Sequence, residues 1–158
     1  MDMVIRSLAS ILLAFAIPLA SAQGLSISIG NTVAAGQVAK VKSLQFVFRV
    51  NGCADFSKAK VAATAEGIVG NARRTVTLEP SAVPTQSGVY GIPDQWGTDG
   101  TWVVAITANC LGATAGAIVQ MNASSFVRDG TQFFSHAPSP ADIETALKAY
   151  ASPVSAPR

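Results

Sequence analysis

One histidine, two cysteines and a few scattered carboxylates are what this 158-residue chain offers to reaction chemistry. Nucleophilic hydrolysis needs a base beside an activated hydroxyl or thiol. The single histidine, His136, stands in the connector Ser135-His136-Ala137-Pro138, and no Gly-x-Ser-x-Gly turn accompanies it. Glycoside hydrolysis needs two carboxyl groups facing each other across a sugar ring. The candidates are Glu66, Glu79, Asp94 and Asp99, and their order in sequence does not fix their separation. Metal binding needs several converging ligands, whereas Met121, His136, Asp94 and Asp99 are single residues without the spacing of zinc or EF-hand sites. Asp94 and Asp99 share one turn, where aspartate ordinarily serves the turn itself rather than a calcium ion. The chain is therefore read as non-catalytic, with no catalytic, cofactor-binding or metal-binding residue and no cofactor.

The cysteines, Cys53 and Cys110, take their meaning from the first 22 residues. A short start ending in Arg6 leads into an apolar stretch over 8–17, then Pro18 and the small residues Ala20-Ser21-Ala22. That is the layout of a secretory signal peptide cleaved before Gln23. Its apolar core is about half of the ~20 residues that cross a bilayer. No cysteine sits at the cleavage point to carry a lipid, and no later apolar run is long enough to span a membrane. The expected product is secreted or periplasmic, in a compartment where two cysteines pair. Neither lies in Cys-x-x-Cys, so a structural Cys53–Cys110 bridge is expected over a redox or metal pair. Closing a loop of about 58 residues is worth roughly 4 kcal/mol in the chain-entropy view.

Cleavage leaves 136 of the 158 residues, the size of one ordinary domain. It removes one base, Arg6, and one acid, Asp2, from 11 and 9, so the net charge stays at +2. So small a charge gives nucleic-acid binding no support. Lys40, Lys42, Lys58, Lys60, Arg73 and Arg74 bias the N-terminal half towards base, and alternation reads most of them as solvent-facing strand positions.

The positioning elements are strands. Leu44, Phe46, Phe48 and Val50 alternate with Gln45, Val47, Arg49 and Asn51, the pattern of a half-buried strand ended by Asn51-Gly52. Val61, Ala63 and Ala65 face one way in the next run, and Val76 and Leu78 in the one after, which Pro80 stops. A short strand at 88–92 precedes the turn 94–100. Over 101–109 the inward set is Trp102, Val104, Ile106 and Ala108, with Val103 and Ala105 on a second apolar face, so this strand is central. Gly112 and Gly116 bracket a loop, and 117–121 is a further short strand. With 25–30 at the front, about seven strands make an all-β fold, an immunoglobulin-like sandwich. Strands two and six of that order run the same way in opposite sheets, which brings Cys53 and Cys110 to one end.

The sandwich is assigned to 23–124 and a C-terminal extension to 125–158, with 126–134 as an ambiguous edge strand. A helix over about 140–150 follows from Ser139 as N-cap, Pro140 at the first position and Asp142 three residues after the cap. Its apolar face of Ile143, Leu147 and Tyr150 is expected to dock on the sandwich. Trp96, in the turn, is the one candidate binding surface, able to stack on a sugar or peptide or to plug one end of the fold. Trp102 and Tyr90 fall at core positions. Asn122-Ala123-Ser124 fits a glycosylation sequon, which bears only on a eukaryotic source.

Gly88-Val89-Tyr90, the turn at Trp96 and Gly100-Thr101-Trp102-Val103-Val104 together resemble the YtkA-like and FixH-like periplasmic sandwiches, in which Gly-x-Tyr leads through a turn to Gly-x-Trp and an apolar strand. Ala65-Glu66-Gly67 is similar to a segment of other exported bacterial proteins. The resemblance covers roughly 44–121 and implies an immunoglobulin-like sandwich. Some related sandwiches handle copper through histidine and methionine clusters, which this chain lacks. The leading expectation is a non-catalytic module with a binding or accessory role and an envelope protein as partner; the alternative is periplasmic copper handling. Mass spectrometry of the exported protein should find its N-terminus at Gln23, and an intact Met1 in that fraction would refute cleavage.

Overall fold

The computed structural model describes residues 24–32, 43–123 and 125–151; the expected signal peptide 1–22, Lys40 and Lys42 lie outside them. Among the described residues nine strands precede one helix. They are β1 (Ser26–Gly30), β2 (Leu44–Asn51), β3 (Lys60–Val69), β4 (Ala72–Leu78), β5 (Ser81–Ala82), β6 (Val89–Pro93), β7 (Thr101–Cys110), β8 (Ala113–Met121) and β9 (Phe126–Phe134), then α1 (Pro140–Ala151). All pairings are antiparallel, in a four-stranded sheet β1-β2-β6-β5 and a five-stranded sheet β4-β3-β7-β8-β9. Apart from β9, this is the A-B-E-D and C′-C-F-G order of immunoglobulin-like sandwiches.

Alternation explains the packing. Phe46, Phe48 and Val50 from β2 meet Trp102, Val104, Ile106 and Ala108 from β7, all at most 5% exposed. Each large apolar side chain buried this way stabilises the fold by about 1.5–3 kcal/mol. Ala63 and Ala65 keep β3 thin at its inner face, and Tyr90 stacks on Phe48 at 5.4 Å between ring centroids. The other face of β7 is apolar too. Val103 and Ala105, with Ile118 of β8, are buried under Ile143, Ala146 and Leu147 of α1. The helix thus docks on the outer face of the five-stranded sheet, and β7 is central in both senses.

Cys53 follows β2, Cys110 ends β7, and they are bonded with Cα atoms 5.8 Å apart. The bridge joins the two sheets at one end, as the strand directions required.

Two sequence expectations are corrected. Leu44 does not join Phe46 on the inner face: a register irregularity between them turns it outward, where it is buried with Val47, Val83 and Val89. The segment from Gly112 to Gly116 is not a loop. The turn is only Leu111-Gly112, with φ of 49° and 85°, so β8 starts at Ala113 and Gly116 lies within it. Positive φ at both central residues is the type I′ geometry that suits a two-residue hairpin. Gly116 is glycine for another reason: a Cβ there would overlap the His136 carbonyl oxygen. The ambiguous stretch at 126–134 pairs with β8 as an edge strand, and Phe126 reaches the core against Phe46 at 5.8 Å.

Replacing both cysteines, Cys53→Ser with Cys110→Ser, should lower the unfolding free energy by about 4 kcal/mol. Urea unfolding of the oxidised and double-mutant proteins measures this, and an unchanged midpoint would show that the bridge contributes nothing.

Candidate functional site

β2 and β7 both run towards the bridge, so their first residues meet at the opposite end of the sandwich. Gln45 of β2 and Trp102 of β7 are joined there by the loop after β6, by the end of β8 and by the last turn of α1. Together they line a pocket of about 140 Å³. Trp96, Trp102, Met121 and Tyr150 provide apolar wall; Gln45, Asp94, Thr98 and Asn122 provide polar groups.

The loop is pinned from below. Trp102 donates its indole N–H to the Asp99 carbonyl oxygen at 2.7 Å, and the Asp94 backbone N–H donates to the Ser43 carbonyl oxygen at 3.1 Å. The Trp102 ring lies flat on Gly67, where a Cβ would overlap it. Glycine at 67 therefore lets the ring sink into the core, which explains the Ala65-Glu66-Gly67 segment physically. Trp96 is half-buried against the main core, so it both caps that core and presents surface to the pocket.

Tyr150 arrives from the helix, whose position rests on charges and caps. Ser139 Oγ accepts from the Asp142 backbone N–H at 3.2 Å, while the Asp142 carboxylate accepts from the Ser139 backbone N–H at 2.8 Å and hydroxyl at 2.7 Å. That reciprocal cap satisfies groups the helix cannot pair internally. The bonds from Ser139, side chain first and backbone next, hold the Asp142 carboxyl below its ordinary value, with the charge of His136 a minor contributor. Arg73 of β4 bonds Glu144 of α1 at 2.8 Å and Glu66 of β3 at 3.2 Å, Thr75 donates to Glu66 at 2.8 Å, and Lys148 lies 3.4 Å from Glu144. Glu144 is lowered chiefly by its bond from Arg73, then by Lys148. Arg73 is thus a tie between sheet and helix rather than a free solvent-facing charge. Asp55 is lowered in the same way by bonds from Ser57, at the short turn after Cys53.

The remaining candidates are dispersed. His136 is exposed beside the Phe134 ring, its Nδ1 2.8 Å from the Ala137 carbonyl oxygen. It packs over Gly116, whereas Met121 closes β8 at the pocket, about 16 Å further along at the usual strand rise. Histidine and methionine are therefore not brought together. Glu66 lies under the helix network and Glu79 is exposed past the end of β4, away from Asp94 and Asp99. Among the described residues no three of His, Cys, Asp and Glu are grouped as a metal site requires. A wider depression of about 320 Å³ beside Phe56, Gln86 and Tyr90 carries no charged side chain. Sequence reasoning singled out Trp96 but not its companions Gln45, Met121, Asn122 and Tyr150. No spacing signal could have found them, because they come from separate elements and meet only in the fold.

No protein-family model, curated protein or solved structure matches the chain.

Because Asp142 titrates lower folded than unfolded, the unfolded chain binds more protons on the acid side, and stability falls with pH there. The contribution of the cap is complete above the ordinary value of 3.8 and disappears as pH drops through the lower folded value. Amide protection factors across 143–147 should fall in that acid window, and Asp142→Asn should reduce this fall, the remainder belonging to Glu144. Ser139→Ala should cost about 1 kcal/mol at neutral pH. Protection that is equally pH-sensitive in wild type and Asp142→Asn would refute the assignment.

Proposed function

We propose that the chain is a non-catalytic, secreted or periplasmic immunoglobulin-like module that works by binding, and that the Trp96 end of the sandwich is its binding surface. The observation that carries this reading is the convergence of both tryptophans of the chain on one pocket, with Tyr150 brought in from the helix. A recess lined by aromatic groups and a few oriented polar ones is the usual form of a small-ligand site. The disposition of the reactive groups supports the same view. Glu66 and Glu144 are held in ion pairs with Arg73, Asp55 and Asp142 serve as caps, and His136 lies far along β8 from the pocket. None of them lines the recess, where acid–base catalysis on a bound ligand would need them.

A fragment library screened by ¹H–¹⁵N NMR tests the proposal. Perturbations should concentrate on the indole N–H signals of Trp96 and Trp102 and on the 94–100 backbone. A screen whose hits fall on other surfaces, or nowhere, would overturn it.

A further inference from the structure

We infer that the Trp96 pocket takes a small organic cation, a quaternary or methylated ammonium head group. This rests on the pocket being the binding surface, and it adds the chemical class of the ligand. The volume of about 140 Å³ is below the roughly 300 Å³ at which pockets for whole drug-sized ligands begin. It admits a head group and not a chain of rings.

The walls set the chemistry. Trp96 and Tyr150, both half-buried, bring aromatic rings to so small a space, and Trp102 and Met121, 5% and 3% exposed, close its floor. Aromatic faces attract a cation whose charge is spread over methyl groups, and Trp does so most strongly. Trp102 is only 5% exposed and Trp96 half-buried, so neither offers the broad open platform on which a sugar ring stacks. Asp94 supplies a carboxylate at the same recess, while no Lys, Arg or His is among the described residues that line it. The local charge therefore favours a cation and provides no counter-charge for a phosphate or carboxylate. Gln45 can bond a hydroxyl or amide attached to the head group, while the Asn122 Oδ1 already accepts from the Ser125 backbone N–H at 2.7 Å. Free choline and the trimethyl-lysine side chain of a peptide share this chemistry.

The two tryptophans are the only ones in the chain, so intrinsic fluorescence reports occupancy directly. Choline should bind at least about tenfold more tightly than its uncharged carbon isostere, in which a quaternary carbon replaces the nitrogen. Glycine betaine, with its added carboxylate, should bind more weakly than choline. Asp94→Asn should lower choline affinity about threefold or more and flatten its dependence on ionic strength. Trp96→Ala should lower affinity about tenfold, and Trp96→Phe, which keeps a ring and leaves Trp102 as reporter, should lose less. A trimethyl-lysine peptide compared with its unmethylated form separates a peptide source from a free one. Equal affinity for choline and the isostere, or no choline response, overturns the cation inference. If a neutral methyl glycoside or any fragment still perturbs the indole signals, the pocket reading survives that result. If those signals stay silent throughout, both readings fall.

Discussion

β7 must be covered on both faces, and this requirement organises the rest of the molecule. Its backbone is paired on either side by β3 and β8, while Trp102, Val104, Ile106 and Ala108 enter the sandwich and Val103 and Ala105 face outward. An antiparallel sheet usually leaves such an outer face to water and polar residues. Here it is apolar, so an additional layer has to bury it. A helix of 12 residues has little stability alone. Sheet and helix therefore complete one another, and the Arg73 ion pairs with Glu66 and Glu144 fix the crossing rather than drive it, since exposed pairs of this kind add little energy.

That arrangement is also what makes an end pocket. The connector before the helix passes over Gly116, and the helix then crosses β7 and β8 and ends with Tyr150 at the pocket opposite the bridge. Tyr150 is thereby carried past the edge of the sheet to the loop that Trp102 anchors. The site is a by-product of packing constraints, with no element devoted to it alone. Its polarity follows from the same economy of charge: most well-placed carboxylates are engaged in caps and ion pairs, and Asp94 is the one that lines the recess.

Periodicity made the inner faces of β2, β3, β4 and β7 legible, because alternation in those runs is set by the core they share. The double-sided character of β7 could be read from Val103 and Ala105, and the helix from Ser139, Pro140 and Asp142. Leu44 departs from the alternation because a bulge shifts parity without any residue that marks it. Gly116 misled because glycine signals a turn and a close contact alike, and only the path of the 135–138 connector distinguishes them. The pocket was visible through Trp96 alone. Gln45, Met121, Asn122 and Tyr150 belong to segments whose meeting is a property of topology, and composition leaves no trace of it. The pairing of exposed Arg73 with Glu144 has no mark in the sequence for the same reason, the two lying 71 positions apart.

The bridge between Cys53 and Cys110 encloses β3 to β7, members of both sheets, in a single covalent ring. The 83–88 segment between β5 and β6 lies inside that ring, and Pro84, Thr85 and Ser87 in it are exposed. A protease that cuts there opens the ring without releasing a fragment. The two pieces stay joined through sulfur and aligned by their sheets, so one nick adds a single water and releases nothing, and a second cut or a reductant is needed to part them.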